Sequence, residues 1–130
     1  MKLHTIIISF VILAIATTIA YRFFNENWVF YRKAERYLEQ GYYPKAIPIL
    51  DNLAKNRFRE ENVLSLLGKS YEKTGKIDDS IITFKKLSKK EPENKWIDLK
   101  LAELYDRKGD HGLAAGIYGK LLKNEPGNRL

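Results

Sequence analysis

Few side chains in this sequence could act in catalysis or bind a metal, and those that could are not spaced as they are in known kinds of active site. His4 and His111 lie far apart, and neither has a neighbour at the spacing of a metal pair or a catalytic triad. Cysteine is absent, which excludes disulfides, thiolate metal sites and cysteine nucleophiles. Adjacent carboxylates such as Glu60 and Glu61 project to different sides of a helix. We therefore predict that the chain is not an enzyme and that it has no metal site and no cofactor.

The glycines near the C-terminus also do not make a phosphate site. Gly112, Gly116 and Gly119 follow no predicted strand and lack the Lys-Ser/Thr pair that holds phosphate and metal. On a helix, each glycine costs about 1 kcal/mol relative to alanine. Two interpretations stay open: a weak, fraying last helix, or a smooth stripe that lets another helix approach closely.

The number and distribution of charged residues bear on which kinds of partner the chain can bind. The formal net charge is +7, from 23 basic and 16 acidic residues. Outside the N-terminal run the two signs are interleaved, which is typical of solvated helix surfaces, so nucleic-acid binding is not expected. A group of lysines on neighbouring predicted helices keeps anionic-lipid binding open as a further alternative. Its members are Lys69, Lys73, Lys76, Lys85, Lys86, Lys89 and Lys90.

The N-terminus carries an uncharged run of 18 residues from Leu3 to Ala20. As a helix it would span roughly 27 Å, close to the ~30 Å hydrocarbon core of a bilayer. Aromatic residues, which favour the membrane–water boundary, follow at once. They are Tyr21, Phe23, Phe24, Trp28 and Phe30. We predict a single transmembrane helix and a location in the cell membrane.

The same run has a second interpretation as a cleaved secretory signal. Lys2 supplies a basic start, and Ala14 and Ala16 supply a small-x-small cleavage site. The apolar run continues past Ala16, which favours an uncleaved anchor. Basic residues are concentrated after the span, which places the following domain in the cytoplasm, with the periplasm or cell exterior as the alternative. They are Arg22, Arg32, Lys33 and Arg36.

The remainder of the chain repeats itself every 34 residues. The clearest copy places Leu67-Gly68 three residues before Tyr71, and then Gly75, Ser80 and Phe84. Moving on by 34 residues gives Leu101-Ala102, Tyr105, Gly109, Ala114 and Tyr118, and moving back gives Lys33-Ala34, Tyr37, Gly41, Ala46 and Leu50. Pro92 and Pro126 close the later copies, whereas Phe58 stands at that place in the first.

This period and pattern resemble the tetratricopeptide repeat family. The resemblance implies an all-α solenoid of helical hairpins that stack to bury a shared core. It divides the chain into an anchor at 1–24 and repeats at 27–60, 61–94 and 95–128, the first being irregular. The predicted helices are 28–40, 44–55, 60–74, 78–90, 95–108 and 111–124. Pro48 lies inside the second of them, where proline costs ~3 kcal/mol or a kink.

The resemblance also implies a binding groove along the first helix of each repeat. The positions that carry over are Trp28, Tyr31, Glu35, Asn62, Ser65, Lys69, Glu72, Trp96, Leu99, Glu103 and Asp106. The family's clamp for a C-terminal carboxylate does not carry over, since only Lys100 is basic among its positions. Trp and Tyr in this set are typical anchors of protein interfaces.

The expected function is that of a membrane-anchored adaptor of bacterial type. It would bind a protein partner of unknown identity at the bilayer and help to assemble or stabilise a partner complex. The alternatives are an exported binding protein with a cleaved signal and an anionic-lipid surface binder. No polar helix follows the third repeat in this sequence, so the last helix is also expected to be able to meet a second copy of the chain.

Overall fold

The computed structural model describes residues 2–123, and within them the chain forms six α-helices and no strand. They are α1 Lys2–Glu39, α2 Tyr43–Lys55, α3 Glu60–Lys73, α4 Ile77–Lys90, α5 Lys95–Lys108 and α6 His111–Lys123. Each helix contacts the next one along the chain. Because the connections are short, successive helices are antiparallel and form three stacked hairpins. This confirms the predicted all-α helical-hairpin solenoid; Pro126 and the predicted helix end at Asn124 lie outside the described residues.

The apolar run and the first repeat helix form one continuous helix, which corrects the prediction of two. Residues 21–27 contain neither glycine nor proline, so nothing in the backbone ends the helix between them. The 18-residue apolar window of α1 is long and apolar enough to cross a membrane, and none of it is buried. Asn27 is the first buried residue of the described chain, and from there on one side of α1 is covered by its neighbours.

The turns confirm the glycine pattern read from the repeat. Gly41, Gly75 and Gly109 have φ angles of +74°, +77° and +94°, which glycine adopts without the clash that a Cβ would introduce. Pro44 lies in the first turn of α2, a position that proline favours because the N–H it lacks would have no partner there. Pro48 lies in the interior of α2 without ending it, because the helix runs on to Lys55.

The starts of α4 and α5 differ in their capping. The N-terminus of α4 has no side-chain cap, and Asp78 in its first turn pairs with Lys108. Asn94 caps α5, where its side-chain oxygen accepts a hydrogen bond from the backbone N–H of Trp96 at 3.2 Å.

The core lies between the hairpins and depends on close helix crossings. One cluster joins α1, α2 and α3, and a second joins α3, α4 and α5. A Cβ at Gly68 would lie 2.8 Å from the ring of Phe84, so α3 and α4 can approach only because this position is glycine. The Ser80 hydroxyl donates to the Gly68 carbonyl oxygen at 2.8 Å and is fully buried. Small residues at these two places of the repeat therefore allow the paired helices to cross closely.

Two ion pairs between helices show which helix ends lie together. Lys90 at the end of α4 contacts Glu60 at the start of α3, with 2.7 Å between Nζ and Oε2. Lys108 at the end of α5 contacts Asp78 at the start of α4 at 2.8 Å. We call the first the near end, since α1 enters the array there, and the second the far end. The near end holds the turns 56–59 and 91–94, and the far end holds the turns 40–42, 74–76 and 109–110.

Candidate functional site

The largest group of predicted groove residues lies between α3 and α5, around Trp96. The cap at Asn94 starts α5 so that Trp96 stands in its first turn, 41% exposed. Its ring makes a T-shaped contact with Phe84, with 5.8 Å between the ring centres. Lys69 on α3 places its Nζ 5.0 Å from the centre of the same ring. The Phe84 contact therefore holds the indole in place, and the Lys69 ammonium lies over its ring. Both contacts stabilise the position of Trp96 at the surface.

An ionic network extends this surface towards the far end. The Glu72 carboxylate accepts a hydrogen bond from the Arg107 guanidinium at 2.7 Å and lies 3.7 Å from Lys100 Nζ. Lys100 also donates to Glu103 at 2.7 Å. The hydrogen bond to Glu103 raises the pKa of Lys100; partial burial opposes this, and the nearby Glu72 charge adds to it. Lys100 is thus a fixed, half-buried cation.

These side chains border a cavity of about 370 Å³, which we call the α3/α5 groove. Leu38 and Leu66 contribute apolar surface, whereas Lys69, Lys73 and Lys100 contribute cationic groups. The remaining lining residues are Tyr43, Ser70, Glu72 and Trp96. An apolar surface with an aromatic wall and a charged border can bury a side chain of a bound peptide and pair its polar neighbours. Among the described residues, no group of three or more His, Asp or Glu could hold a metal ion.

A second set of predicted residues lies at the near end, and here the expected exposure of Tyr31 needs correcting. Tyr31 is only 5% exposed, stacked on Trp28 at 5.7 Å and met edge-on by Phe58. Burial raises the pKa of Tyr31, and the Glu35 carboxylate raises it further. The ring is a core group, because the turn before α3 folds Phe58 over it. Trp28 stays half-exposed beneath the Arg59 guanidinium, which lies 5.4 Å from the ring centre.

The other predicted residues have separate surroundings. Asn62 is exposed in the first turns of α3, and Ser65 is half-buried. Leu99 borders a different cavity of about 500 Å³ between α5 and α6, with Trp96, Tyr118 and Leu122. Glu103 is held by Lys100, and Asp106 lies 2.5 Å from the Nδ1 of His111. The structure therefore brings only Lys69, Glu72 and Trp96 together in the α3/α5 groove.

Several residues of this region were not predicted from the sequence. Arg107 and Leu38 complete the groove and its ionic network, and Phe58 closes the near-end cluster. Arg107 stands 35 residues after Glu72, one more than the repeat period, so the repeat itself signals this contact only weakly. Phe58 was visible only as a departure from the repeat pattern.

Comparisons with known proteins agree with this architecture. A family model described as tetratricopeptide repeat matches residues 63–94 and 98–128. Among solved structures, the MamA RS-1 ArsTM double mutant matches with a TM-score of 0.67 and 25% identity, over 75% of this chain and 55% of that one. MamA 41-end from Desulfovibrio magneticus RS-1 matches with a TM-score of 0.66 and 25% identity, over 78% and 57%. This chain thus spans little more than half the length of either neighbour. No curated protein sequence matches significantly.

Proposed function

Because this chain belongs to the tetratricopeptide repeat family, a fold of protein-interaction scaffolds, we propose that it is a membrane-anchored adaptor. It holds a protein partner in the α3/α5 groove and helps to assemble or stabilise the partner's complex at the bilayer. Restricting the adaptor to a membrane surface raises the local concentration of the partner without any new contact. The proposed division is an anchor at 1–24 followed by repeats at 27–60, 61–94 and 95–128.

The α3/α5 groove is the observation that carries this proposal. Trp96 is fixed from below by Phe84 and yet keeps 41% of its surface exposed, as a preformed binding anchor does. Glu72, Lys100 and Arg107 hold one another, so the groove keeps its shape without a ligand. A preordered surface loses little side-chain freedom on binding, which favours affinity.

The proposal that the chain is anchored in a membrane is supported by the exposed surface of α1. From Leu3 to Phe24 every residue of this helix is exposed, although most are large and apolar. Such a surface is stable in lipid, where a helix satisfies its own backbone hydrogen bonds. A cleaved signal sequence is also long and apolar, so an exported binding protein is the second candidate. The unbroken helix from Lys2 to Glu39 favours the anchor, since cleavage after Ala16 would cut through its middle.

The groove is tested with Trp96→Ala in the full chain in native membranes. We expect weaker photo-crosslinking to the bound partner from a probe placed at Lys73, with the helical circular dichroism retained. Ile82→Ala is the matched control, because Ile82 is 53% exposed on α4 and does not line the groove. Equal crosslinking by Trp96→Ala and the parent would contradict this site.

The anchor is tested by protease treatment of a C-terminally tagged chain. Protection in intact cells and after removal of the outer layers supports a cytoplasmic repeat domain beside the membrane. Cleavage of the tag once the outer layers are opened supports a repeat domain in the periplasm or outside the cell. A shortened chain that no longer sediments with the membranes would show that the N-terminal segment is a cleaved signal and not an anchor.

A further inference from the structure

We propose that the turn at residues 56–59 is a second membrane contact, which binds anionic phospholipid headgroups through Arg57 and Arg59. The proposal rests on the anchor proposed above and adds a lipid-binding surface on the repeat array itself. It differs from the lysine alternative read from the sequence. In the structure Lys90 is engaged by Glu60, and Lys86 borders a cavity that also holds Asp51, Glu60 and Asp79.

The unbroken α1 fixes the height of this turn above the apolar span. Phe58 contacts Phe24 at 5.7 Å and Trp28 at 6.1 Å between ring centres. These two residues follow Ala20 by four and eight positions, which is about 6 and about 12 Å along a helix at ~1.5 Å per residue. The headgroup layer of one leaflet is about 5–7 Å thick. Phe58 therefore lies between the outer edge of that layer and about 5 Å above it, a gap that a long arginine side chain can bridge.

The turn is held rigidly in an uncommon backbone conformation. Arg57 and Arg59 have φ angles of +54° and +43°, in the left-handed region that residues other than glycine seldom adopt. The Asn56 side chain donates to Asn27 Oδ1 on α1 at 3.3 Å. This conformation directs Phe58, 7% exposed, into the core and leaves the arginines on either side of it exposed. Backbone strain of this kind is retained where the surroundings hold it firmly.

The charges of this turn are open to a ligand. Within the described residues, neither Arg57 nor Arg59 forms a salt bridge. The guanidinium carbon of Arg59 lies 5.4 Å from the ring centre of Trp28 and 5.1 Å from that of Tyr31. The carboxylates that follow are Glu60, which is engaged by Lys90, and Glu61, which is exposed. A guanidinium presents paired donors that match phosphate oxygens, and its apolar stem lies readily against aromatic rings.

The position of Arg22 extends the same surface around α1. Helical geometry places Arg22 about 180° around the axis from Tyr31, on the side away from Phe58. Arg22 and the arginine turn therefore flank the helix on opposite sides where it leaves the span. Two cationic groups on opposite sides of a tether hold an array upright on an anionic surface better than one.

The experiment uses the full chain in nanodiscs of phosphatidylcholine, alone or with about one third phosphatidylglycerol. The chain has no cysteine, so Asn52→Cys places one fluorophore near the end of α2, at the near end. Gln40→Cys places the same fluorophore in the exposed far-end turn 40–42. A quencher attached to lipid headgroups reports how close each position lies to the membrane surface.

We expect the near-end fluorophore to be quenched more strongly with phosphatidylglycerol than without it, and the far-end fluorophore to be unchanged. Arg57→Asn with Arg59→Asn should abolish the difference. Asparagine tolerates positive φ angles, so the turn should keep its fold. The matched control, Lys45→Gln with Lys76→Gln, removes two exposed charges near the far end and should keep the difference.

Equal quenching in the two lipid mixtures, or a difference that survives the double arginine substitution, would overturn the lipid contact. Failure of the parent chain to stay with vesicles after an alkaline wash would instead refute the anchor. The two failures are therefore distinguishable.

Discussion

At the residue scale, the fold depends on how closely two helices can approach at a single position. Gly68 lets α3 and α4 meet over the Phe84 ring, and the Ser80 hydroxyl closes the crossing by binding the Gly68 carbonyl oxygen. On α6, by contrast, a Cβ at Gly112, Gly116 or Gly119 would meet nothing within 4 Å. Glycine is therefore required at the first place, whereas in the described structure it is only a weak helix former at the others.

Gly68→Ala is expected to destabilise the chain by about 1–3 kcal/mol, because the new methyl group would displace Phe84 from a full core. Gly116→Ala is the matched control and should stabilise it by up to ~1 kcal/mol through helix propensity alone. Thermal unfolding of the detergent-solubilised chain, followed by circular dichroism, measures both. A neutral or stabilising Gly68→Ala would show that the crossing is looser than described.

Lys100 should make the stability of the folded chain depend on pH in the alkaline range. Its pKa is raised in the folded chain, chiefly by the hydrogen bond to Glu103. The stability it contributes is therefore fully present below its unfolded pKa of about 10.5 and is lost as the pH rises through the folded value. Lys100→Gln should be less stable than the parent at pH ~8 and should lose stability less steeply towards pH ~11. Denaturant unfolding across this range, with Lys86→Gln as the control, measures the slope; equal slopes would contradict it.

At the element scale, the repeat period predicted the helices well because each hairpin obeys the same local rules. The glycine turns and the small residues at the helix crossings occupy equivalent places in successive copies. The junction of α1 with the array could not be predicted in this way. Phe58 breaks the repeat pattern, and the burial of Tyr31 depends on the turn that carries Phe58. In the second repeat, Pro92 stands at the equivalent place. The sequence predicted Lys69, Glu72 and Trp96 of the α3/α5 groove. It did not predict Arg107, which pairs with Glu72 from 35 residues further on, one more than the repeat period.

Phe58→Ala should destabilise the chain by about 3–5 kcal/mol, because the ring fills the space among Phe24, Trp28 and Tyr31. Its loss should also make the turn 56–59 sensitive to trypsin, which cuts after arginine. Ile82→Ala, at an exposed site, should change stability by no more than ~0.5 kcal/mol. Unfolding midpoints and timed digestion of the solubilised chain measure both effects. An unchanged midpoint for Phe58→Ala would mean that α1 is held by its other contacts.

At the scale of the whole molecule, the array presents one apolar side to its surroundings beyond the span. Leu99 on α5 and Leu122 on α6 are 41% and 54% exposed, and both border the cavity between these two helices. Tyr118 and Leu121 border the same cavity, and inside the array their equivalents on α4, Phe84 and Leu87, pack against α5. A second copy of the chain could cover α6 in the same manner, as stacking repeats do.

We expect the solubilised chain to associate in a concentration-dependent way through this side. Leu99→Gln with Leu122→Gln should shift it towards the monomer in analytical ultracentrifugation. Ile82→Gln is a matched control, since Ile82 is exposed to a similar extent, 53%, on a different helix. A parent chain that stays monomeric at high concentration would exclude this contact.

The unbroken course of α1 has a mechanical consequence. With the helix spanning the bilayer as proposed, no hinge separates the lipid-embedded segment from the binding domain, so the two tilt and rotate as one lever. An apolar segment that is longer than the local hydrocarbon layer accommodates the mismatch by tilting. A thinner bilayer would thereby incline the α3/α5 groove towards the membrane, and a thicker one would raise it. Membrane thickness would then set the angle at which the adaptor presents its partner.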